Sequence, residues 1–337
     1  MDFRNISDLR QRADRAIAGA AVDPKKLVLL YTGATAAVML IVTFANFLLQ
    51  SQIAGTGGLS GLVMRSMLET AIQVLQLGVN LILPFWTFGY LSCVLQMTRE
   101  QTLGLPNILE GFRRFGPVLR LNLLRGGYFM VMAFLCIYPS MVIFLWTPLS
   151  APFMEIMEPL LAVDASEILL DDATLNAATE ALLPMLVIYG ILLLLLVGPK
   201  YYSFRMADYC LMDDPRGSAL SAMRRSSAML HKNRLALLKL DLHFWWFYLL
   251  DILTLALCYG ETLLAMAGIH LPISPEIAYF LFYTLYLLAQ VGLSVWARNK
   301  VECTYAAGYE CLKHGLEEKL RQIMTQQQSA NTNPQDV

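Results

Sequence analysis

The sequence predicts an all-α fold, a polytopic transmembrane helical bundle with six spans, both termini inside, and amphipathic elbow helices in the inner interface. Three observations carry this. The 337 residues are 57% hydrophobic and only 15% charged, with a mean hydropathy of +0.52, whereas soluble domains carry roughly 25% charged residues. Continuous apolar runs recur that are long enough to cross a hydrocarbon core of about 30 Å, which takes roughly 20 helical residues. The cations are sorted between the runs. Barrel strands would instead read as short alternating segments.

Six runs qualify: Leu27–Leu49, Thr70–Met97, Leu121–Thr147, Ala181–Phe204, Phe244–Ala267 and Glu276–Ala297. Lys and Arg are retained on the cytoplasmic side of such spans. Arg4, Arg10, Arg12, Arg15, Lys25 and Lys26 precede the first run, and Arg99, Arg113, Arg114, Arg120 and Arg125 cluster around the second connection. Lys200, Arg205, Arg216, Arg224, Arg225, Lys232, Arg234 and Lys239 surround the fourth, and Arg298, Lys300, Lys313, Lys319 and Arg321 follow the last run. Pro148–Glu180 is acidic without a cation, as an outer loop would be, and only Arg65 falls on the outer side. The net charge of −1 is therefore a cancellation across a membrane, and it excludes a nucleic-acid binder driven by net positive charge. The first run is too long, and starts too late, for a cleavable signal peptide, so it reads as a retained anchor. The chain divides into a cytoplasmic amphipathic segment (1–26), a membrane domain (27–312) and a cytoplasmic tail (313–337). From Thr325 onward the Gln, Asn and Ser content of that tail predicts disorder.

Three elbows stand out on the inner side. Asn107-Ile-Leu-Glu110 has the spacing of a capping box. It opens a helix with Ile108, Leu109, Phe112, Phe115 and Leu119 on one side, Arg113 and Arg114 on the other. After Asp214-Pro215, Ala219, Ala222, Met223, Ser226 and Leu230 form a softer face beside Arg224 and Arg225. The N-terminus repeats the idea with Phe3, Ile6, Leu9, Ala13 and Ile17. Three units of elbow plus hairpin fit this pattern. The elbow arginines, with Arg205 at the inner end of the fourth run, are candidate contacts for anionic headgroups or an unidentified membrane-protein partner. Ordinary basic loops and an Arg-to-Asp interfacial anchor account for the same residues.

Gly198-Pro199-Lys200-Tyr201-Tyr202-Ser203-Phe204-Arg205-Met206-Ala207, then Tyr209 and Asp213-Asp214-Pro215, carry a family resemblance. Ser226, Leu230, Asn233-Arg234, Leu240, Leu242-His243-Phe244 and Thr254 continue it, as do Tyr305, Ala307, Tyr309 and Leu312, with Leu9–Ala13 at the start. Together they resemble the bacterial integral membrane proteins grouped as domain of unknown function 975, distantly similar to the membrane domain attached to some glycerophosphodiester phosphodiesterases. Lys232, His243, Trp245-Trp246-Phe247, Asn299-Lys300 and Gly308 depart from the pattern. The resemblance implies a helical membrane protein of the bacterial plasma membrane and brings no reaction with it.

Ionisable and polar residues inside a membrane are costly and tend to face a bundle interior or a wet cavity. Glu69, Gln73, Gln76 and Asn80 follow one helical face in the second span, Asp251, Thr254 and Glu261 one in the fifth, and Tyr279, Tyr283, Tyr286, Gln290 and Ser294 one in the sixth. Antiparallel pairing of the last two spans sets Asp251 near Gln290, and Glu261 near Tyr279 or Tyr283. These residues form a candidate intramembrane polar cavity for a proton or solute, or else polar glue between helices. No cofactor is expected. The four histidines and six cysteines have no metal-ligand spacing, and no disulfide framework is expected. Gly55-Thr-Gly57-Gly58 lacks the strand and the Lys-Ser/Thr of a phosphate loop. With no catalytic motif, the residues favour a non-enzymatic membrane scaffold or a lipid- or partner-binding component. A transporter or transport-accessory subunit around Asp251 is the alternative, and a membrane enzyme acting on lipid the third.

Overall fold

The computed structural model describes residues 5–53, 59–102, 104–162, 172–214, 216–269 and 271–332, and among them every regular element is helical. Five helices are long and apolar enough to cross a membrane. The chain divides into two compact units, 1–121 with 206–337, and 122–205.

The first unit begins with α1 (Ile6–Ala18), α2 (Pro24–Ile53) and α3 (Leu59–Thr98). A 3-10 turn, Leu105–Leu109, runs into the short α4 (Glu110–Arg113). The capping box expected at Asn107 does not form: Gly104 is the cap and Asn107 instead donates to Gln96 Oε1 at 2.6 Å. This turn lies hard against α3, because a Cβ on Gly89 would fall on the Ile108 carbonyl and one on Gly111 on the Phe85 carbonyl. Only glycine permits that approach. The long α5 (Phe115–Trp146) follows.

The second unit holds the remainder of α5, then α6 (Ala151–Ala162), α7 (Asp172–Ala181), α8 (Leu183–Leu196) and α9 (Gly198–Phe204). Much of the acidic stretch read as an outer loop is helical, with Glu155 and Glu158 exposed on α6, while Asp164, Glu167 and Asp171 lie outside the described residues. Tyr128, Phe129, Tyr201 and Phe204 form an aromatic cluster within this unit.

The first unit resumes with α10 (Ala207–Asp213), α11 (Ala219–Leu230), α12 (Arg234–His243), α13 (Trp245–Cys258), α14 (Gly260–Met266) and α15 (Pro275–Leu293). A π-helical turn, Ser294–Arg298, joins α15 to α16 (Asn299–Thr332), so the chain is helical over 325–332, where composition suggested disorder. The fifth expected span is not one helix. α12 and α13 meet at a 62° bend, and the helix breaks again at Tyr259. Gly260 follows the second break, and a Cβ there would collide with the ring of Phe282 on α15. The 14 residues of α13 reach only about 21 Å.

The first and third elbows bury most of their apolar faces in protein. Leu9, Ala13 and Ala16 of α1 are buried, as are Ala219, Ala222, Met223, Ser226 and Leu230 of α11. The second elbow is divided: Ile108 is buried, whereas Leu105, Leu109, Phe112 and Phe115 are exposed. Around α16 these helices build a closed layer whose core holds Tyr90, Met206, Leu211, Leu230, Tyr305 and Tyr309.

Candidate functional site

Two polar regions sit at the ends of the apolar segments of the first unit. One is a completed ion network. Arg99, just past α3, donates from Nε to Glu310 Oε1 at 2.8 Å and from Nη2 to Asp213 Oδ1 at 2.6 Å. Asp213 also meets Lys313 Nζ at 2.8 Å and accepts from the Tyr309 hydroxyl at 2.6 Å. Burial works against the Asp213 charge, but the hydrogen bonds from Lys313, Tyr309 and Arg99 outweigh it and hold its carboxyl below the ordinary value. Burial likewise opposes the Arg99 charge and is overcome by Asp213 and Glu310, which raise it. Nearby, Tyr305 donates to Asp241 and shares a hydrogen bond with Tyr248. Two carboxylates and two cations close this cluster, as buried charges require.

The other region is open. A half-open cavity of about 210 Å³ lies between α2 and the segment from α15 to Arg298. Tyr31, Thr32 and Thr35 line it from α2, and Tyr286, Gln290, Ser294 and Arg298 from the opposite wall. Arg298 stacks its guanidinium over the Tyr31 ring at 4.9 Å and reaches the Tyr90 ring at 5.9 Å. Its Nε is fully buried without a hydrogen-bond partner, and its guanidinium makes no ion pair among the described residues. Cation–π contact contributes about 2 kcal/mol when desolvated, and the Glu302 and Asp251 carboxylates act on the guanidinium through space without forming an ion pair with it. The guanidinium cannot deprotonate. The π turn Ser294–Arg298 breaks the regular ladder of α15 at this wall, a distortion that often accompanies functional sites. Asn299 Nδ2 donates to the Pro24 carbonyl at 2.6 Å, which puts this end of the cavity level with the start of α2.

The family model described as protein of unknown function, DUF975, matches residues 10–290. The chain belongs to the DUF975 family. No curated protein matches it, and no solved structure does. The DUF975 match stops short of Arg298 and of Tyr305, Ala307, Tyr309 and Leu312.

Several residues singled out in this DUF975 chain meet. Gln290 Nε2 donates to Asp251 Oδ1 at 2.9 Å and to Thr254 Oγ1 at 2.6 Å, the pairing expected of antiparallel helices. Tyr283 and Gln290 both line the cavity. Others do not join them. Gln73, Gln76 and Asn80 are exposed on α3, and the side chain of Glu69 lies outside the described residues. Glu261 follows the break at Tyr259 and makes no hydrogen bond to Tyr279 or Tyr283. Asp251 itself is exposed on the surface of the chain.

Among the cations, Arg114 is held by Glu110 at 2.8 Å and by the Met212 carbonyl at 3.2 Å, and Arg113 lies 3.7 Å from Glu110. Arg225 lies 3.5 Å from Asp214, while Arg224 is exposed. Arg205 donates to Tyr201 Oη at 2.9 Å. Sequence reasoning counted Arg298 among the tail cations and missed its setting. The i, i+4, i+8 spacing of Gln290, Ser294 and Arg298 was a usable signal; the Tyr31 contact, made across the fold, was not. Among the described residues no group of three or more His, Cys, Asp or Glu could hold a metal ion.

Proposed function

We propose that the chain is a non-enzymatic integral membrane component that holds a membrane amphiphile in the cavity between α2 and α15. In this reading it sits in the bacterial plasma membrane with both termini inside, and the bent pair α12–α13 supplies the sixth span. The observation that carries it is the cavity itself: polar groups on both walls, flanked along α2 and α15 by exposed apolar side chains such as Ile41 and Leu288. Its volume of about 210 Å³ is below the roughly 300–1,000 Å³ of pockets that enclose a whole small molecule. A headgroup fits there while acyl chains stay outside, against the apolar surface. The exposed Arg113 and Arg224 add general attraction for an anionic leaflet.

A transport-accessory role is the second reading, favoured by the Gln290 bridge between Asp251, Thr254 and the cavity wall. Native mass spectrometry of the full chain released from nanodiscs tests the first. Retained lipid that is lost when Ala36→Trp fills the cavity supports it, and empty particles contradict it. Two-sided labelling of a cysteine placed at Gln290 would favour transport.

A further inference from the structure

Arg298, Ser294 and Tyr286 are polar groups of the cavity wall that make no side-chain hydrogen bond among the described residues, and Arg298 and Ser294 lie one turn apart. The Arg298 Nε is buried with no acceptor, and its guanidinium lies over the faces of Tyr31 and Tyr90, with the Glu302 and Asp251 carboxylates near but not paired with it. Ser294, one helical turn away and 4% exposed, makes no side-chain hydrogen bond among the described residues. Both line the same cavity, so the wall offers a planar fork of N–H donors beside a hydroxyl donor. That donor set matches an oxyanion: a guanidinium binds phosphate oxygens in pairs, and the hydroxyl supplies a further hydrogen bond. Gln290, the next polar residue along the wall, already spends its amide N–H groups on Asp251 and Thr254. The Asp251 carboxylate is thus engaged by Gln290 and forms no ion pair with Arg298. Glu302, one turn beyond Arg298 on α16, forms none either.

We infer that the cavity is a phosphate site: the amphiphile it holds has an anionic phosphodiester headgroup seated on Arg298 and Ser294. This rests on the amphiphile reading above and adds the charge and the residues that select it. The ligand is a lipid rather than free phosphate, because the site lies beside the Pro24 end of α2, where an apolar surface begins that a soluble anion would not use.

The test uses the full chain in nanodiscs of phosphatidylcholine alone and with added phosphatidylglycerol, with retained lipid counted by native mass spectrometry. Wild type should retain phosphatidylglycerol in preference to phosphatidylcholine. Arg298→Gln should lower that preference about tenfold or more, the worth of a charge-assisted hydrogen bond. Arg298→Lys should keep part of it, and Ser294→Ala should weaken it in a protein whose charge is intact. Ala36→Trp should remove retained lipid of both kinds. Phosphatidylcholine carries the same phosphodiester with a compensating cation, so the preference reads the net charge. Equal retention of both lipids by wild type, unchanged in Arg298→Gln and with loss in Ala36→Trp, overturns the anionic headgroup on Arg298 and leaves the amphiphile reading standing. No lipid retained by wild type overturns both. A preference that survives Arg298→Gln but disappears on neutralising Arg113 and Arg224 moves the headgroup to the elbows and overturns the inference. So does displacement of the lipid by inorganic phosphate.

Discussion

Arg99 and Arg298 begin from similar positions, each near the end of a long apolar helix, and are treated in opposite ways. Arg99 pairs with Asp213 and Glu310, so its charge is spent inside the fold. Arg298 stands over two tyrosine rings with a buried donor left over, beside an open cavity. A network that closes on itself holds helices together, and a charge that does not close invites a ligand.

The closed layer should be the more fragile of the two regions. The largest effect is expected at Gly89→Ala, which drives a methyl group into the Ile108 carbonyl. Overpacking against backbone costs about 3 kcal/mol or more. Thermal unfolding of the purified protein should fall steeply, and an unchanged midpoint would disprove the tight approach of α3 to the turn. Arg99→Met comes next, leaving the Glu310 carboxylate without its arginine. Removing one partner of a buried pair costs roughly 3–5 kcal/mol. Because the Arg99 side chain is 24% exposed, about 2 kcal/mol is the expectation.

Acid should reach the same network. Asp213 has its carboxyl held below the usual value, so its contribution is fully present above the unfolded value of 3.8 and is lost as pH falls through the lower folded value. Unfolding midpoints followed downward from pH 6 should therefore drop below about pH 4 in wild type. Asp213→Asn should be less stable at neutral pH and show a flatter acid limb. Parallel acid limbs in the two proteins would remove Asp213 from the account.

The smallest stability effect belongs to Arg298. In delipidated protein Arg298→Met takes away a buried charge that has no ion pair, so the midpoint should stay within about 1 kcal/mol of wild type. A loss as large as that of Arg99→Met would mean that Arg298 is a structural residue after all.

The helical class and the membrane runs were legible because a 20-residue apolar run has few alternatives, and the DUF975 motifs in 198–254 led to the family. The Asp251–Gln290 pair was legible too, since a short connection between adjacent helices limits their register. The break in the fifth span was not. It comes with a 62° bend between α12 and α13 and a turn at Tyr259, backbone geometry that hydropathy does not encode. The second-span stripe misled for a related reason: a helical face is readable from spacing, but the direction it points depends on which neighbours cover it. Gln73, Gln76 and Asn80 face outward. Arg298 stayed hidden because cations at helix ends are ordinary topological markers, and only the fold shows that this one has no ion pair among the described residues.

The most direct test is the change in unfolding midpoint on adding phosphatidylglycerol to delipidated protein, with phosphatidylcholine as the reference, in wild type and Arg298→Met. A ligand that binds the folded state raises the midpoint by mass action. The account predicts a rise specific to phosphatidylglycerol in wild type that Arg298→Met abolishes. An equal rise in both proteins would contradict it.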